Sequence, residues 1–365
     1  MKKNPHQHIN SLLETIQGLL WNKREVRTFR ALLALFLSTE LRTTLQNVVG
    51  ISASTASRFL NCEQLPDEVY WQTLNDWQVR QFEHLPRRGR RGDVLLKIDL
   101  SCIEKTGKKI PFARLFNRVF GIQLVVLHAC VNGLSFPLAY RIYEGKGHAT
   151  TVELALALLA AFPPSLWSSR IVVLADAGFG SREFIVGCQS LGFTRLLVGV
   201  RCDRKLSDKR RLDQLKRRGQ ALALHDLPDI PVWISWCDVK RDNGKKRFFL
   251  LSTFAAGGAY LARRYRRRWM IESFFKSVKH DFGLKEARLR TKTGIRLWIF
   301  LACLAFSLAS LERHLSKQTL NLLQAAACIL NSLADVVLLK LMIDCERFSR
   351  TQPYTLKLVV NNCKT

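Results

Sequence analysis

Four residues in one basic stretch have the types and the spacing to handle phosphate and a metal ion together. Tyr265, Arg268, Glu272 and Lys279 stand at offsets of three, seven and fourteen from the tyrosine. On an α-helix, at about 100° per residue, those offsets fall within roughly 60° of one another. The pattern predicts one long helix from Tyr260 to Arg290 that carries a phenol, a guanidinium, a carboxylate and an ammonium along a single stripe. Ile271, Phe274, Phe275, Val278 and Phe282 fill the neighbouring stripe and give that helix an edge to bury. Ten Lys and Arg lie between Arg263 and Arg290, against the three acids Glu272, Asp281 and Glu286. A carboxylate kept at a buried edge among so many cations points to phosphate and metal handled at one place.

Two further carboxylates sit where a sheet would present them. Asp99 interrupts the apolar run Val94-Leu95-Leu96-Lys97-Ile98-Asp99-Leu100, and a carboxylate buried there is costly unless paired or bound to a cation. Its bland explanation is exposure on an edge strand. Asp176 follows Ile171-Val172-Val173-Leu174-Ala175 and precedes Ala177-Gly178-Phe179-Gly180. That is the carboxyl end of a strand, where open α/β sheets bind their ligands; the bland explanation is a turn or helix cap. Glu272 alone reads as a solvated helix residue paired with Arg268 or Lys276. Together the three acids describe a site for a hard cation such as Mg²⁺, with Mn²⁺ as a substitute. Two such ions about 3.5–4 Å apart activate an attacking oxygen and stabilise a leaving one in phosphodiester displacement.

The elements that would position these acids follow from pattern. Val94–Leu100 is a strand, and Gln123–Val131 and Leu134–Tyr143 form a hairpin around Asn132-Gly133, a strong two-residue turn signal. Val152–Ala161 reads as a helix and Ile171–Ala175 as a short buried strand. Ser181 is placed to cap a helix from Arg182 to Leu191, and Arg195–Val200 is another strand. Three meandering strands followed by alternating helices and strands predict a mixed α/β sheet of the ribonuclease-H-like kind. Residues 201–253 read as a β-rich insertion. Its first part is basic and helix-leaning (Lys209-Arg210-Arg211, Lys216-Arg217-Arg218). Two strands follow, Val232–Val239 and Arg247–Ser252, joined across Asp242-Asn243-Gly244. The expected division is a helical region 1–92 ending in Arg87-Arg88-Gly89-Arg90-Arg91-Gly92, a catalytic core 93–294 holding the insertion, and a helical region 295–365.

The amino-terminal region also holds a possible helix-turn-helix across Arg42–Asn61. Leu45, Val49, Ile51, Ala56 and Phe59 supply apolar contacts, Gly50 falls at the turn and Ser52 at the second cap. Ser54, Thr55, Ser57 and Arg58 would then face a major groove. Gln46 departs from the pattern, because close helix packing wants Ala or Gly there.

Bulk properties agree with a polyanion partner. The chain has 365 residues, 48% of them apolar, with 57 basic against 29 acidic and a net charge of +28. That is enough for two or three domains with real cores, and nucleic acid is the default partner. The aliphatic content argues against a ribosomal protein. No secretory signal follows Lys2-Lys3, since His8, Asn10, Glu14 and Gln17 break the stretch. The longest apolar run, Leu297–Leu311, is short of the ~20 residues of a spanning helix and reads as a buried core helix. Ten cysteines occur with no Cys-x-x-C pair and no Cys/His cluster, which suits free thiols in a reducing cytosol rather than zinc or disulfides.

The motif Tyr-x2-Arg-x3-Glu-x6-Lys, complete here at Tyr265, Arg268, Glu272 and Lys279, resembles that of bacterial insertion-sequence DDE transposases of the Tyr-Arg-Glu-Lys group (IS-four type). Asp99 and Asp176 match the family's first two acids by their strand contexts, and the likeness spans roughly Asp93 to Leu311. The resemblance implies a ribonuclease-H-like fold and Mg²⁺-dependent cut-and-paste DNA transposition. Asp99, Asp176 and Glu272 would hold two metal ions, Arg268 and Lys279 would hold phosphates, and Tyr265 would contact the DNA backbone. In hairpin-forming relatives an insertion-domain tryptophan stacks beside a flipped base. Trp233 and Trp236 are the candidates for that role, although either is equally suited to filling a core. The partners implied are double-stranded terminal inverted repeats and target DNA, with a homodimer in the DNA complex and no membrane. The implied location is the bacterial cytoplasm, at the nucleoid. Two alternatives stay open: a catalytically silent, domesticated DNA-binding regulator, and a stand-alone nuclease on the same fold.

Overall fold

The computed structural model describes residues 5–333, apart from 64, 66, 86–92, 108, 168, 169, 242, 243 and 318. The arginine-rich segment 87–92 and the carboxyl-terminal stretch from 334 therefore lie outside the described residues, as do Asp242 and Asn243. The described chain divides into two compact units: Asn75–Ser277, and the residues up to Leu74 together with those from Val278 onward.

The amino-terminal residues form helices α1 (Pro5–Gly18), α2 (Lys23–Leu37), α3 (Ala53–Leu60) and α4 (Asp67–Glu83). Asn22 caps α2 by accepting a bond from the Glu25 N–H, and Phe29 through Leu37 all but fill its buried face. The expected first helix of a helix-turn-helix is absent over 42–51. A single 3-10 turn, Leu45–Asn47, stands there instead. The Asn47 side-chain amide donates to the Arg42 carbonyl at 2.8 Å, a local bond that competes with helical pairing. The second helix is present as expected: Gly50 is left-handed at φ 82, and Ser52 caps α3 by accepting from the Thr55 N–H.

The sheet unit contains β1 (Val94–Glu104), β2 (Arg114–Phe116), β3 (Val119–Val131), β4 (Leu134–Tyr143), α5 (Thr151–Ala160), β5 (Ile171–Ala175), α6 (Arg182–Ser190) and β6 (Leu196–Val200). Then come β7 (Gln220–Leu224), β8 (Leu227–Arg241) and β9 (Gly244–Ser252). Among the described residues these make one nine-stranded sheet in the order β2-β3-β1-β5-β6-β9-β8-β7, with β4 also on β3. β1 pairs antiparallel with β3 and parallel with β5, and β5 pairs parallel with β6. This is the mixed α/β sheet expected of a ribonuclease-H-like core. The β3–β4 turn carries Asn132 at φ 48 and Gly133 at φ 89, the two positive angles a type I′ hairpin demands.

The insertion does not form a separate sheet. β9 pairs antiparallel with β6, and β8 and β7 extend the same sheet outward. Its basic beginning is not helical beyond a 3-10 turn at Leu212–Gln214. Asp208 and Asp213 pair with Arg210 and Arg211 two residues away, and Lys209 is left-handed at φ 67. Those local ties favour turns over a helix.

The predicted single helix over Tyr260–Arg290 is broken. α7 (Gly258–Tyr265) passes into a 3-10 segment, Arg266–Trp269, before α8 (Met270–His280) resumes. The tighter turn keeps Arg268 buried while Arg266, Arg267 and Trp269 stay exposed. Gly283, left-handed at φ 66, ends the run before Arg290. Met270 and Phe274 lie against β1 and β3: the Lys97 ammonium meets the Met270 sulfur and the His128 ring meets the Phe274 ring. α8 thus covers the sheet face that carries Lys97 and Asp99.

The carboxyl-terminal residues form α9 (Lys292–Leu315) and α10 (Leu322–Ser332). α9 is long and apolar enough to cross a membrane by length alone, yet 94% of its apolar window is buried inside the protein. Trp298 packs edge-on against Phe36 of α2 at 4.8 Å, and Phe300 stacks on Tyr70. It is the buried core helix expected over Leu297–Leu311.

Candidate active site

Asp99 lies on an interior strand with neighbours on both sides and is only 8% exposed, so edge exposure does not explain it. The parallel register pairs Ile98 with Ala175. The next residue along each chain is an acid, Asp99 within β1 and Asp176 just past the end of β5, near enough for the Asp176 charge to act on Asp99. Asp176 caps the 3-10 turn Ala177–Phe179, its Oδ1 accepting from the Gly178 N–H at 2.9 Å. The cap explanation is therefore true of Asp176 without competing with its place beside Asp99.

Arg268 joins the other two acids. Its guanidinium donates to Asp99 Oδ2 at 2.6 Å and to Glu272 Oε1 at 2.7 Å. The arginine and Asp99 are buried, whereas the Glu272 side chain is 55% exposed. Tyr265 lies one turn earlier, its hydroxyl donating to the Ala175 carbonyl at 3.3 Å. The Arg268 guanidinium sits 5.7 Å from the centre of the Tyr265 ring.

Electrostatics record the same convergence. Burial pushes the Asp99 carboxyl up to about 6; Arg268 opposes that rise, while the charges of Asp176 and Glu272 add to it. Burial likewise pushes the Tyr265 phenol above its ordinary value. On the same face, Lys97 is fully buried opposite His128, and burial pushes its ammonium down to about 8.

The donor set is that of a hard cation: three carboxylates from three elements, two of which add to the rise of the third. In this geometry Arg268 supplies a positive charge to Asp99 and Glu272. Among the described residues no three acidic, histidine or cysteine side chains stand close enough to cage an ion. The residues fit divalent metal by chemistry, and a complete shell requires the guanidinium to yield.

The structure brings Asp99, Asp176, Glu272, Arg268 and Tyr265 together. Lys279 lies on α8 two turns past Glu272, in the other compact unit. Trp236 is buried against Phe249, with the Arg247 guanidinium 4.9 Å from its ring, and Trp233 packs against the core cluster of the sheet. An exposed indole on the same 3-10 turn is Trp269, 42% exposed and next to Arg268 in sequence. Its signal in the sequence was an aromatic residue set inside an arginine run. Arg204 was also missed: it donates to the Gly180 carbonyl and pairs with Asp226, tying the start of the insertion to the loop after Asp176. Ser54 and Arg58 lie exposed one turn apart on α3.

A family model described as "Transposase DDE domain" matches residues 99–308, more than half of the chain. Among solved structures, the chain is similar to the one titled "Cryo-EM structure of piggyBac transposase synaptic complex with hairpin DNA". The identity is 14%, the TM-score 0.54, and the match covers 94% of this chain and 75% of that one. At that identity the likeness speaks to fold alone. No curated protein matches the chain.

Proposed function

Because the chain belongs to the transposase DDE domain family, whose members cleave DNA and transfer strands, we propose that it is a cut-and-paste transposase of the bacterial insertion-sequence group with the Tyr-Arg-Glu-Lys motif. Its substrates are terminal inverted repeats and target DNA. The observation that carries this reading is the register that sets Asp176 beside Asp99, with Arg268 linking Asp99 to Glu272.

Asp99, Asp176 and Glu272 would hold two Mg²⁺ ions, with Mn²⁺ as substitute. When bound, such ions activate the attacking oxygen and stabilise the leaving oxygen of a phosphodiester. Asp99, buried near Asp176 and linked through Arg268 to Glu272, would be the central acid of such a site. Arg268 has a planar fork that matches phosphate as well as carboxylate. A DNA phosphate entering the site offers that fork a second partner and frees acid oxygens for metal. Lys279 and the exposed Arg263, Arg266 and Arg267 supply further charge for the DNA backbone. Trp269, rather than the buried Trp236, is the indole suited to stack on an unpaired base. Ser54 and Arg58 on α3 read the repeat from residues 1–92, while 93–294 carries out the chemistry and 295–365 supports it. The protein works at the nucleoid, as a homodimer that pairs two ends.

Incubation with linear DNA bearing the flanking repeats, with Mg²⁺ or with EDTA, tests this reading. Metal-dependent cutting at the repeat boundary, followed by joining to a second DNA, supports it. A metal-independent mobility shift without cutting identifies a regulator, and cutting that ignores the repeats identifies a nuclease.

A further inference from the structure

We propose that Tyr265 is a positioning residue that sets the Asp176 carboxylate for metal binding. The proposal rests on the reading of Asp176 as a metal ligand. The phenol points inward. Its ring packs against the apolar cluster of Val172, Leu174, Leu197 and Leu261, and its hydroxyl donates to the Ala175 carbonyl while accepting from the Arg268 guanidinium. That carbonyl belongs to the peptide whose nitrogen is that of Asp176. Holding this peptide fixes the direction in which the Asp176 side chain leaves the backbone.

Gly199 on β6 closes the seat from the other side. A Cβ at that position would lie 2.7 Å from the Tyr265 hydroxyl, 2.8 Å from the Ala177 nitrogen and 3.1 Å from the Asp176 carbonyl carbon. Only glycine admits the phenol and the Asp176 turn together at this approach. The carboxylate is then held by the peptide before it and by its own bond to the Gly178 N–H after it. Hard cations of the Mg²⁺ type demand near-ideal ligand geometry, so a loosened carboxylate costs metal affinity before it costs DNA affinity.

Tyr265→Phe keeps the ring and removes only the hydroxyl. In the full-length protein three quantities are measured: affinity for repeat-end DNA in EDTA, Mn²⁺ binding from the free-ion paramagnetic resonance signal, and cleavage rate against Mn²⁺ concentration. Loss of the bond to the Ala175 carbonyl predicts Mn²⁺ binding weaker by roughly fivefold, end affinity within about twofold of the parent, and a cleavage rate that recovers at high Mn²⁺. Gly199→Ala, with the tyrosine intact, should show the same Mn²⁺ defect if it melts as a folded protein. Weakened end binding with unchanged Mn²⁺ binding in Tyr265→Phe overturns the proposal in favour of a DNA contact. No change in any quantity overturns it as well. Asp176→Asn is run in parallel and should lose Mn²⁺ binding and cleavage. If it retains both, the assignment of Asp176 itself fails, whatever Tyr265→Phe does.

Discussion

The strands around Asp99 and the exposed helix carrying Ser54 and Arg58 are both expected to meet DNA, but they are built on opposite principles. At Asp99 the polar group is enclosed, and each neighbour is forced: Arg268 to pair it, Asp176 to stand near it, Gly199 to admit Tyr265. On α3 Ser54 and Arg58 face solvent, and packing leaves their identity free. Buried polarity is expensive and therefore informative, whereas exposed polarity costs nothing and identifies little.

The sharpest way to break this contrast is to remove the acids. Asp99→Ala, Asp176→Ala and Glu272→Ala should each cut the cleavage rate by about 10³-fold or more, the equivalent of several kcal/mol of transition-state stabilisation. Binding of repeat ends, measured by mobility shift, should persist. Retained cleavage in any one removes that residue from the metal site.

Arg268→Ala should act next most strongly. It slows cleavage, weakens end binding and leaves a buried carboxylate without its cation, a loss of about 3 kcal/mol. The expected fall in melting temperature is roughly 6–12 °C at pH 8. It should be smaller at pH 5, where Asp99 takes up a proton. Equal losses at the two pH values would show that Asp99 is not the charge Arg268 serves.

Asp99→Asn should have the opposite sign in metal-free protein. The folded Asp99 carboxyl is raised from 3.8 to about 6, so its protonated form favours the fold. The stability it contributes is present below about pH 4 and lost as pH rises through about 6. The asparagine variant escapes that loss and should melt higher above pH 6, by at most about 2–3 kcal/mol. A variant that melts lower at pH 8 would mean Arg268 outweighs burial.

On α3, Arg58→Ala should weaken end binding by about tenfold or less and reduce the slope of log affinity against log salt by about one. Cleavage at saturating DNA should be unchanged. No change in slope would remove Arg58 from the DNA contacts.

How much could be read from sequence follows the same division. β4 and β5 have the bounds expected of them, because Asn132-Gly133 and an uninterrupted apolar run leave few alternatives. Asp99 was legible because an acid in such a strand demands a partner. The break at Arg266–Trp269 was not legible, since a turn of 3-10 helix changes the period for only four residues. The role of the insertion tryptophans was open for a related reason. β8 has strands on both sides, and the spacing of Trp233 and Trp236 cannot say which face is covered. Residues 42–51 carry helix-like apolar spacing, but Asn47 and Arg42 bond locally instead.

The most direct measurement is anomalous scattering from Mn²⁺ in crystals of the full-length protein bound to repeat-end DNA. Two peaks are expected about 3.5–4 Å apart, both within roughly 2.2 Å of Asp99 oxygens, with Asp176 and Glu272 completing one each and Arg268 turned to phosphate. Manganese bound elsewhere, with Arg268 still joining Asp99 to Glu272, would contradict this assignment.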